Sequence, residues 1–507
     1  MNIKFSVITP LYKPKITELR DAIQSAQAPN SEHILVIDGK NNAGNINSLR
    51  RLARKYGAKI HVSNDHVGIS QASNIAASKA QGEFLVFLDQ DDMMVKDWWR
   101  PLSEAALDSD FIYSDCFHAN EAGKAIRIAK KPDWSPIRLI FNMYATHFMA
   151  VRREIFNAVG GFQSVYDGSQ DHDLALRISL ETDRIVHIPT PLYYWRASQN
   201  STVSDPLNKT WAFEAGLQAS QDHIRKFTPD VEIENVPGFP GAFRAKYPDR
   251  SEGVSIIIPT AFKPSPSGEL FLESLLRSLL PFLSRELGDE IVLIHGEGEA
   301  LPQESILLQY PEIPVKQVAD QSIFNFSRRC NIGFVEANNE HTLLLNDDVE
   351  FGIDNPLNTL FGTLKLPNVG LVGALLAYPD FSIQHGGHTF IGGNATHFHH
   401  GASSLAHGLM DLVVDHEVVG VTGALMFQLK ATWKAVGGLS ASFPLNFNDV
   451  DYCQKIRALG FSIVQANSVQ AIHHESVTRK AKVKTKEVGL LNNRWRDNLS
   501  YDPYSTD

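Results

Sequence analysis

The stretch Gly82–Asp92 reads Gly-Glu-Phe-Leu-Val-Phe-Leu-Asp-Gln-Asp-Asp. Its apolar run is too short for a helix and is bounded by glycine on one side and acids on the other, which predicts a parallel strand buried on both faces. Asp89, Asp91 and Asp92 then stand at its carboxyl end, where open α/β sheets bind their ligands. Crowded carboxylates repel one another unless a cation joins them, and hard oxygen ligands suit Mg²⁺ or Mn²⁺. A single acidic cluster of this kind is usually a helix cap or a solvated turn. Here it recurs: Glu340–Val349 reads Glu-His-Thr-Leu-Leu-Leu-Asn-Asp-Asp-Val, with Asp348 matching Asp91.

Other landmarks recur in the same order. Ser6–Pro10 matches Ser255–Pro259, each a β-rich run expected to end at its proline. Asn74 matches Asn331, each on a helix leading into the acid-tipped strand, and Gly160-Gly161-Phe162 matches Gly437-Gly438-Leu439. Gln170-Asp171-His172-Asp173-Leu174 matches Asn448-Asp449-Val450-Asp451-Tyr452, each heading an amphipathic helix, Leu174–Leu180 and Tyr452–Leu459. A duplicated α/β domain is the economical explanation.

The 507 residues suit two to four domains, and 43% hydrophobic content lets each bury a core. A net charge of −10 without a long basic tract argues against nucleic acid as a partner. Met1–Tyr12 lacks the features of a signal peptide and reads as a first strand, and no apolar run reaches membrane-spanning length, so the expected location is cytoplasmic. Cys116, Cys330 and Cys453 are widely spaced without a metal-binding pair and read as reduced core thiols.

The expected layout is a first domain over 1–205, a helix and linker over 206–250, a second domain over 251–478 and a basic, polar tail over 479–507. Asp205-Pro206 reads as a helix start, with the helix running to about Phe227, and proline-rich Pro229–Glu252 as a linker with short extended pieces. Arg479, Lys480, Lys482, Lys484 and Lys486 open a segment expected to be a solvated tail or helix face. A weaker expectation is that they attract the inner face of the cytoplasmic membrane or a diphosphate-linked acceptor, a peripheral association.

With both halves laid out, the chain resembles the family-two glycosyltransferases of bacterial surface-polysaccharide assembly, in particular tandem members often labelled rhamnosyl- or O-antigen transferases. In the first half the resemblance rests on Phe87–Asp92, Tyr113-Ser114-Asp115, Lys131–Pro136, Gln170–Arg177, His187-Ile188-Pro189 and Leu192–Arg196. In the second half it rests on Phe324–Ser327, Leu345–Asp348, Gln384-His385-Gly386-Gly387, Val421–Ala424, Phe447–Asp451 and His473–Ser476. It implies two tandem GT-A domains, Rossmann-like α/β folds, each using a nucleotide-sugar donor (UDP- or dTDP-linked) and a divalent cation, Mn²⁺ or Mg²⁺. The implied reaction is inverting transfer to a hydroxyl of an oligosaccharide or lipid-linked glycan.

By matching position, the resemblance assigns Asp91 and Asp348 to the metal, with His473 or His474 as a further ligand in the second half. It assigns Asp171 and Asp449 as catalytic bases, Asp89 and Asp347 to the donor sugar or ribose, and Asp38 to the nucleobase. Pro10, Asn74, Asp92, Pro259 and Asn331 complete the expected donor-binding set. Two positions depart from the pattern. Ser198 stands where the family usually has a histidine, and His295 where an acid is expected, with Glu297 as the nearby substitute.

The chemistry agrees with these types. Without a Walker-type glycine loop, charge on a departing diphosphate falls to a bound cation. An aspartate at a helix start is held ionised by the dipole and suits a base. Asp173 and Asp451 are expected to cap or support their neighbours. His385, His397, His399 and His400 form a loose, irregularly spaced cluster expected to serve structure or the acceptor rather than zinc. Adjacent strand residues face opposite ways, so at most one of His473 and His474 reaches a metal easily. The alternatives are one catalytic domain beside a degenerate acceptor-binding module, and sugar nucleotidyl transfer, disfavoured by the missing glycine-rich loop.

Overall fold

A computed structural model describes residues 4–42, 44–196, 210–299, 301, 305–403, 410–474 and 483–506. The chain divides into two compact units, Met1–His223 with Ser505–Asp507, and Ile224–Tyr504. Ser198, Asp205-Pro206, Arg479, Lys480 and Lys482 lie outside the described residues.

In the first unit the strands are β1 (Phe5–Leu11), β2 (Ser31–Ile37), β3 (Lys59–Val62), β4 (Phe84–Phe87), β5 (Met93–Met94), β6 (Phe111–Ala119), β7 (Ala125–Ala129), β8 (Met149–Arg152) and β9 (Ile185–Arg196). They form one sheet in the order β3-β2-β1-β4-β8-β6-β9-β5, with β7 against β6. The strands β3, β2, β1 and β4 run parallel, and β8 enters antiparallel between β4 and β6. β4 is uniformly apolar because it is buried at the sheet centre. β1 continues one residue past Pro10, which stands beyond the four-residue pairing with β4, Phe5 to Ile8.

The second unit opens with the hairpin β10 (Glu232–Asn235) and β11 (Phe243–Lys246), within the proline-rich stretch. Its remaining strands are β12 (Val254–Pro259), β13 (Glu290–Gly296), β14 (Val315–Asp320), β15 (His341–Leu345), β16 (Val349–Phe351), β17 (Val369–Ala377), β18 (Ile383–His385), β19 (His388–Ile391), β20 (Asn394–His397), β21 (His416–Glu417), β22 (Leu425–Leu429) and β23 (Ser462–His473). The main sheet runs β14-β13-β12-β15-β22-β17-β23-β16, the first unit's order strand for strand. Both units are therefore α/β domains of one topology, Rossmann-like with an antiparallel insertion. The hairpin β19–β20 is an addition of the second unit.

The recurring landmarks interlock, which is why they recur together. Asn74 accepts a hydrogen bond from the Phe162 amide (3.0 Å) and donates to its carbonyl (2.8 Å). Asn331 does the same with Leu439 (2.9 and 2.8 Å) and also accepts from Trp433 Nε1. Gly161 and Gly438 have φ of +68° and +70°, and a Cβ on either would stand within 2.7 Å of the asparagine Oδ1. Glycine is required there on both counts. Arg177, paired with Asp173, donates to the carbonyls of Val159 and Gly161, and Lys455 donates to that of Gly438. Asn74 and Asn331 thus tie the glycine turn to the helices Ile69–Ser78 and Phe326–Glu336; both asparagines are clamps, which corrects their expected place at the donor.

Residues 485–499 of the carboxy-terminal segment are not a solvated tail. The helix Thr485–Trp495 buries Leu491, and Leu499 follows it into a cluster with Phe390, Val419, Phe443 and Val450. Arg494 and Trp495 Nε1 both donate to the buried Asp451 carboxylate (2.6 and 2.9 Å). The pattern of an amphipathic packing helix was hidden behind a run of lysines. All three cysteines are free and buried, and among the described residues no helix is long and apolar enough to cross a membrane.

Candidate active site

In the second unit the carboxyl ends of β12 and β15 open into a cavity of about 540 Å³. Its walls include Pro259, Thr260, Asp347, Asp348, His388, His397, Asp449 and His473. Asp348 Oδ1 stands 3.1 Å from His473 Nε2. Two neighbouring ligands of an octahedral cation at about 2.1 Å lie about 3 Å apart, so a carboxylate oxygen and an imidazole nitrogen at this separation fit one divalent ion. His473 is oriented from behind: its Nδ1 donates to Gln384 Oε1 (2.7 Å). His474 faces the other way, toward Glu350 (3.4 Å) and the Phe271 ring. It is removed from the expected metal set, as the alternation of a strand requires.

Strand register corrects a second assignment. Ile8 pairs with Phe87 and Ile257 with Leu344, so Asp91 matches Asp348, but Asp89 matches Asn346 and Asp347 matches Gln90. Asp347 accepts from Thr260 Oγ1 (2.7 Å), and burial raises its pKa to about 6. Asn346 takes the Asp89 position and donates to His473 (3.3 Å).

Asp449 stands in the first turn of the helix Asn448–Ala458 and lines the cavity. Its Oδ1 accepts from the Val450 amide (2.8 Å) and its Oδ2 from the Gly423 amide (3.2 Å). His388 Nε2 lies 3.9 Å from Oδ2. The carboxylate is fixed by backbone donors and aimed into the space shared with Asp348.

The first unit gathers Asp89, Asp91 and Asp171 around a histidine that sequence reasoning missed. His147 Nε2 stands 4.0 Å from Asp89 Oδ2, its ring stacks on Tyr193 at 5.2 Å, and the charges of Asp171 and Asp91 both act on it. Burial lowers the His147 pKa to about 4, leaving it neutral, and burial raises that of Asp171. A lone histidine just ahead of an apolar strand carries no spacing signal. Asp92 does not join this group. Its carboxylate turns to β9, accepting from the Tyr193 hydroxyl (2.8 Å) and the Arg196 amide (2.7 Å), and burial pushes its pKa well up.

Asp38 is buried beneath the loop after β3, accepting from the Val67 amide (2.6 Å), the Gly68 amide (3.2 Å) and His66 Nδ1 (2.7 Å). His66 in turn stands 5.0 Å from the Tyr12 ring. Pro10 lies on β1, paired with Val36 of β2. In the second unit Pro10 matches Pro259, which pairs with Ile294 as Pro10 pairs with Val36, so the Asp38 position is Gly296 rather than His295. A Cβ on Gly296 would meet Glu299 Oε2 at 2.9 Å and Arg329 Nη2 at 3.0 Å, and Glu299 accepts the Gly296 amide (2.6 Å). Glu299, not the exposed Glu297, is the acid that reaches this point. Of the aromatic residues, Trp98 and Tyr193 are core, and His187 is held between Asp115 (2.9 Å) and Asp133 (3.1 Å) beneath Tyr113.

Residues 6–164 match the family model described as glycosyl transferase family 2. An uncharacterized protein of Sinorhizobium fredii, y4gI, is 31% identical over 98% of this chain and 56% of its own length. The O-antigen biosynthesis protein RfbC of Myxococcus xanthus is 28% identical over 94% of this chain and 38% of its own. The poly(ribitol-phosphate) beta-N-acetylglucosaminyltransferase TarS of Staphylococcus aureus is 30% identical over 22% of this chain and 20% of its own. The chain thus spans about half or less of the curated relatives it matches. The acid-tipped strand and the sheet of the first unit agree with a glycosyl transferase family 2 domain over residues 6–164.

Proposed function

We propose that the chain is a divalent-cation-dependent, inverting glycosyltransferase that moves a sugar from a nucleotide-diphospho-sugar, UDP- or dTDP-linked, to a hydroxyl of a growing bacterial surface glycan. The observation that carries this reading is the cavity in which Asp348, His473 and Asp449 meet. Asp348 and His473 would hold Mn²⁺ or Mg²⁺, and such an ion supplies Lewis-acid stabilisation of the departing diphosphate. Asp449 would accept the acceptor hydroxyl's proton as its oxygen bonds to the anomeric carbon and the bond to the diphosphate breaks. Asp91 and Asp171 would play these parts in the first unit, with His66, Tyr12 and Asp38 about the nucleobase. The names of RfbC and TarS support a surface glycan, oligosaccharide or lipid-linked, as acceptor.

The replacement of the Asp38 position by Gly296, with Glu299 and Arg329 in its space, supports a second reading in which the second unit binds acceptor and the first transfers. Transfer from UDP- and dTDP-sugars to a lipid-linked glycan, with NMR of the new anomeric centre, tests both. The first reading predicts inverted product lost with EDTA from every donor and lost with Asp449→Asn from the second unit's donor; the second predicts that Asp449→Asn keeps transfer from every donor and Asp171→Asn loses it. Retained configuration, or no product from any donor, would contradict both.

A further inference from the structure

In the second unit β18 and the added hairpin bring three histidines together beside Asp449. His385 ends β18, His388 begins β19 and His397 ends β20, and one ring nitrogen from each lies within 4.8 Å of the others. The rings are mutually near-perpendicular: the interplanar angles are 81°, 79° and 83°, and the centroids are 5.0, 4.9 and 5.4 Å apart. Three imidazoles on a tetrahedral ion at 2.0–2.1 Å place their ring centroids about 5 Å from one another, so the spacing of the rings suits one ion. We infer that His385, His388 and His397 form a second cation site, of the zinc class, distinct from the carboxylate–His473 site.

Chemistry and access agree with this assignment. His388 Nδ1 is buried without a hydrogen-bond partner. His388 and His397 line the cavity, which supplies an entry path, and three protein ligands leave a fourth position open. Imidazole ligands favour zinc over the Mg²⁺ that carboxylates prefer, so the two sites select different ions. With His388 Nε2 3.9 Å from Asp449, the ion would adjoin the carboxylate assigned as base.

The competing use of the same atoms is a hydrogen-bonded chain. Thr422 N–H donates to His385 Nε2 (3.0 Å), and His385 Nδ1 lies 2.7 Å from His397 Nδ1. Ligation through Nδ1 moves the His385 proton to Nε2 and turns the Thr422 amide away, with no net proton released. The spacing separates the trio from the other histidines nearby: His399 faces Asp411 and His400 faces Tyr378.

The test needs no donor or acceptor, so it stands apart from the proposed transfer activity. The full chain is loaded with Zn²⁺, gel-filtered and analysed for metal, alongside Asp348→Asn, His388→Asn and His397→Gln. The expected result is about one zinc per chain in wild type and Asp348→Asn, falling at least about tenfold in affinity in the two histidine variants. Co²⁺ titration of wild type, read by the visible bands of four-coordinate cobalt, serves if a variant fails to fold. Folded wild type that retains no zinc, zinc retained by both histidine variants, or a cobalt spectrum of six-coordinate type would overturn the site and leave the hydrogen-bonded chain.

Discussion

His473 faces Asp348 and Asn346 through Nε2 and donates to Gln384 through Nδ1, while its neighbour His474 turns away. Removing an outer partner of a ligating histidine typically costs 10–100-fold in metal affinity. Gln384→Leu should therefore raise the Mn²⁺ concentration needed for half-maximal activity by about 10–100-fold, and His474→Ala should leave it within about twofold. Metal titrations of the three proteins check this. The clamps make a separate prediction. Asn331 satisfies two backbone groups of Leu439 and the Trp433 indole, and Asn74 two of Phe162. Asn331→Ala and Asn74→Ala should each destabilise their unit by about 2–3 kcal/mol, because buried donors and acceptors lose their partners. Urea melts followed by tryptophan fluorescence would measure it.

Residue types alone pointed to the acids at the strand ends and to the helix-start aspartates, because acids after a short apolar run are chemically conspicuous. They misdirected at Asn74 and Asn331, whose recurrence reflects a shared clamp, and at Asp92, whose carboxylate turns back to β9. His147, Thr260 and His388 gave no usable signal. Each joins the site only through a sheet or hairpin that brings distant segments together.

At the scale of elements, the helix Thr485–Trp495 and the loop after it close the core around Phe443 and Val450, directly ahead of and within the helix that begins near Asp449. Leu491→Ala should cost about 2–4 kcal/mol of second-unit stability, and truncation at residue 478 should cost the fold of that unit. An unchanged melting curve after truncation would show that the helix is not part of the core. In the first unit, burial alone would lower the pKa of His187, but Asp115 and Asp133 outweigh it and raise the value. A folded pKa above the unfolded one contributes stability that is present below the unfolded value, about 6.5, and is lost as pH rises through the folded one. Stability should therefore fall on moving from pH 6 to above the raised value, and His187→Gln should flatten that dependence in chemical melts across the range.

These elements also mark where sequence reasoning stops. β4 and β15 were readable because buried parallel strands are continuously apolar. The packing of the carboxy-terminal helix was missed because its apolar positions follow Lys480, Lys482, Lys484 and Lys486, which suggested a solvated tail or helix face. Matching Asp38 to His295 failed by one residue, since only the pairing of Pro259 with Ile294 fixes the register.

At the scale of the whole molecule, two sheets of one strand order present two acid-tipped centres that are no longer alike. The second carries His473, three clustered histidines from β18 and the added hairpin, and Gly296 in place of Asp38; the first carries His147 and an intact Asp38 loop. Such divergence is expected if the units serve different donors or different steps. The most direct measurement is metal-dependent release of nucleoside diphosphate from a panel of UDP- and dTDP-sugars by wild type, Asp91→Asn and Asp348→Asn. Each substitution should lower release by about 10²-fold or more for a different donor, as loss of electrostatic stabilisation of the leaving group requires. Release that both variants carry out at the wild-type rate would contradict it.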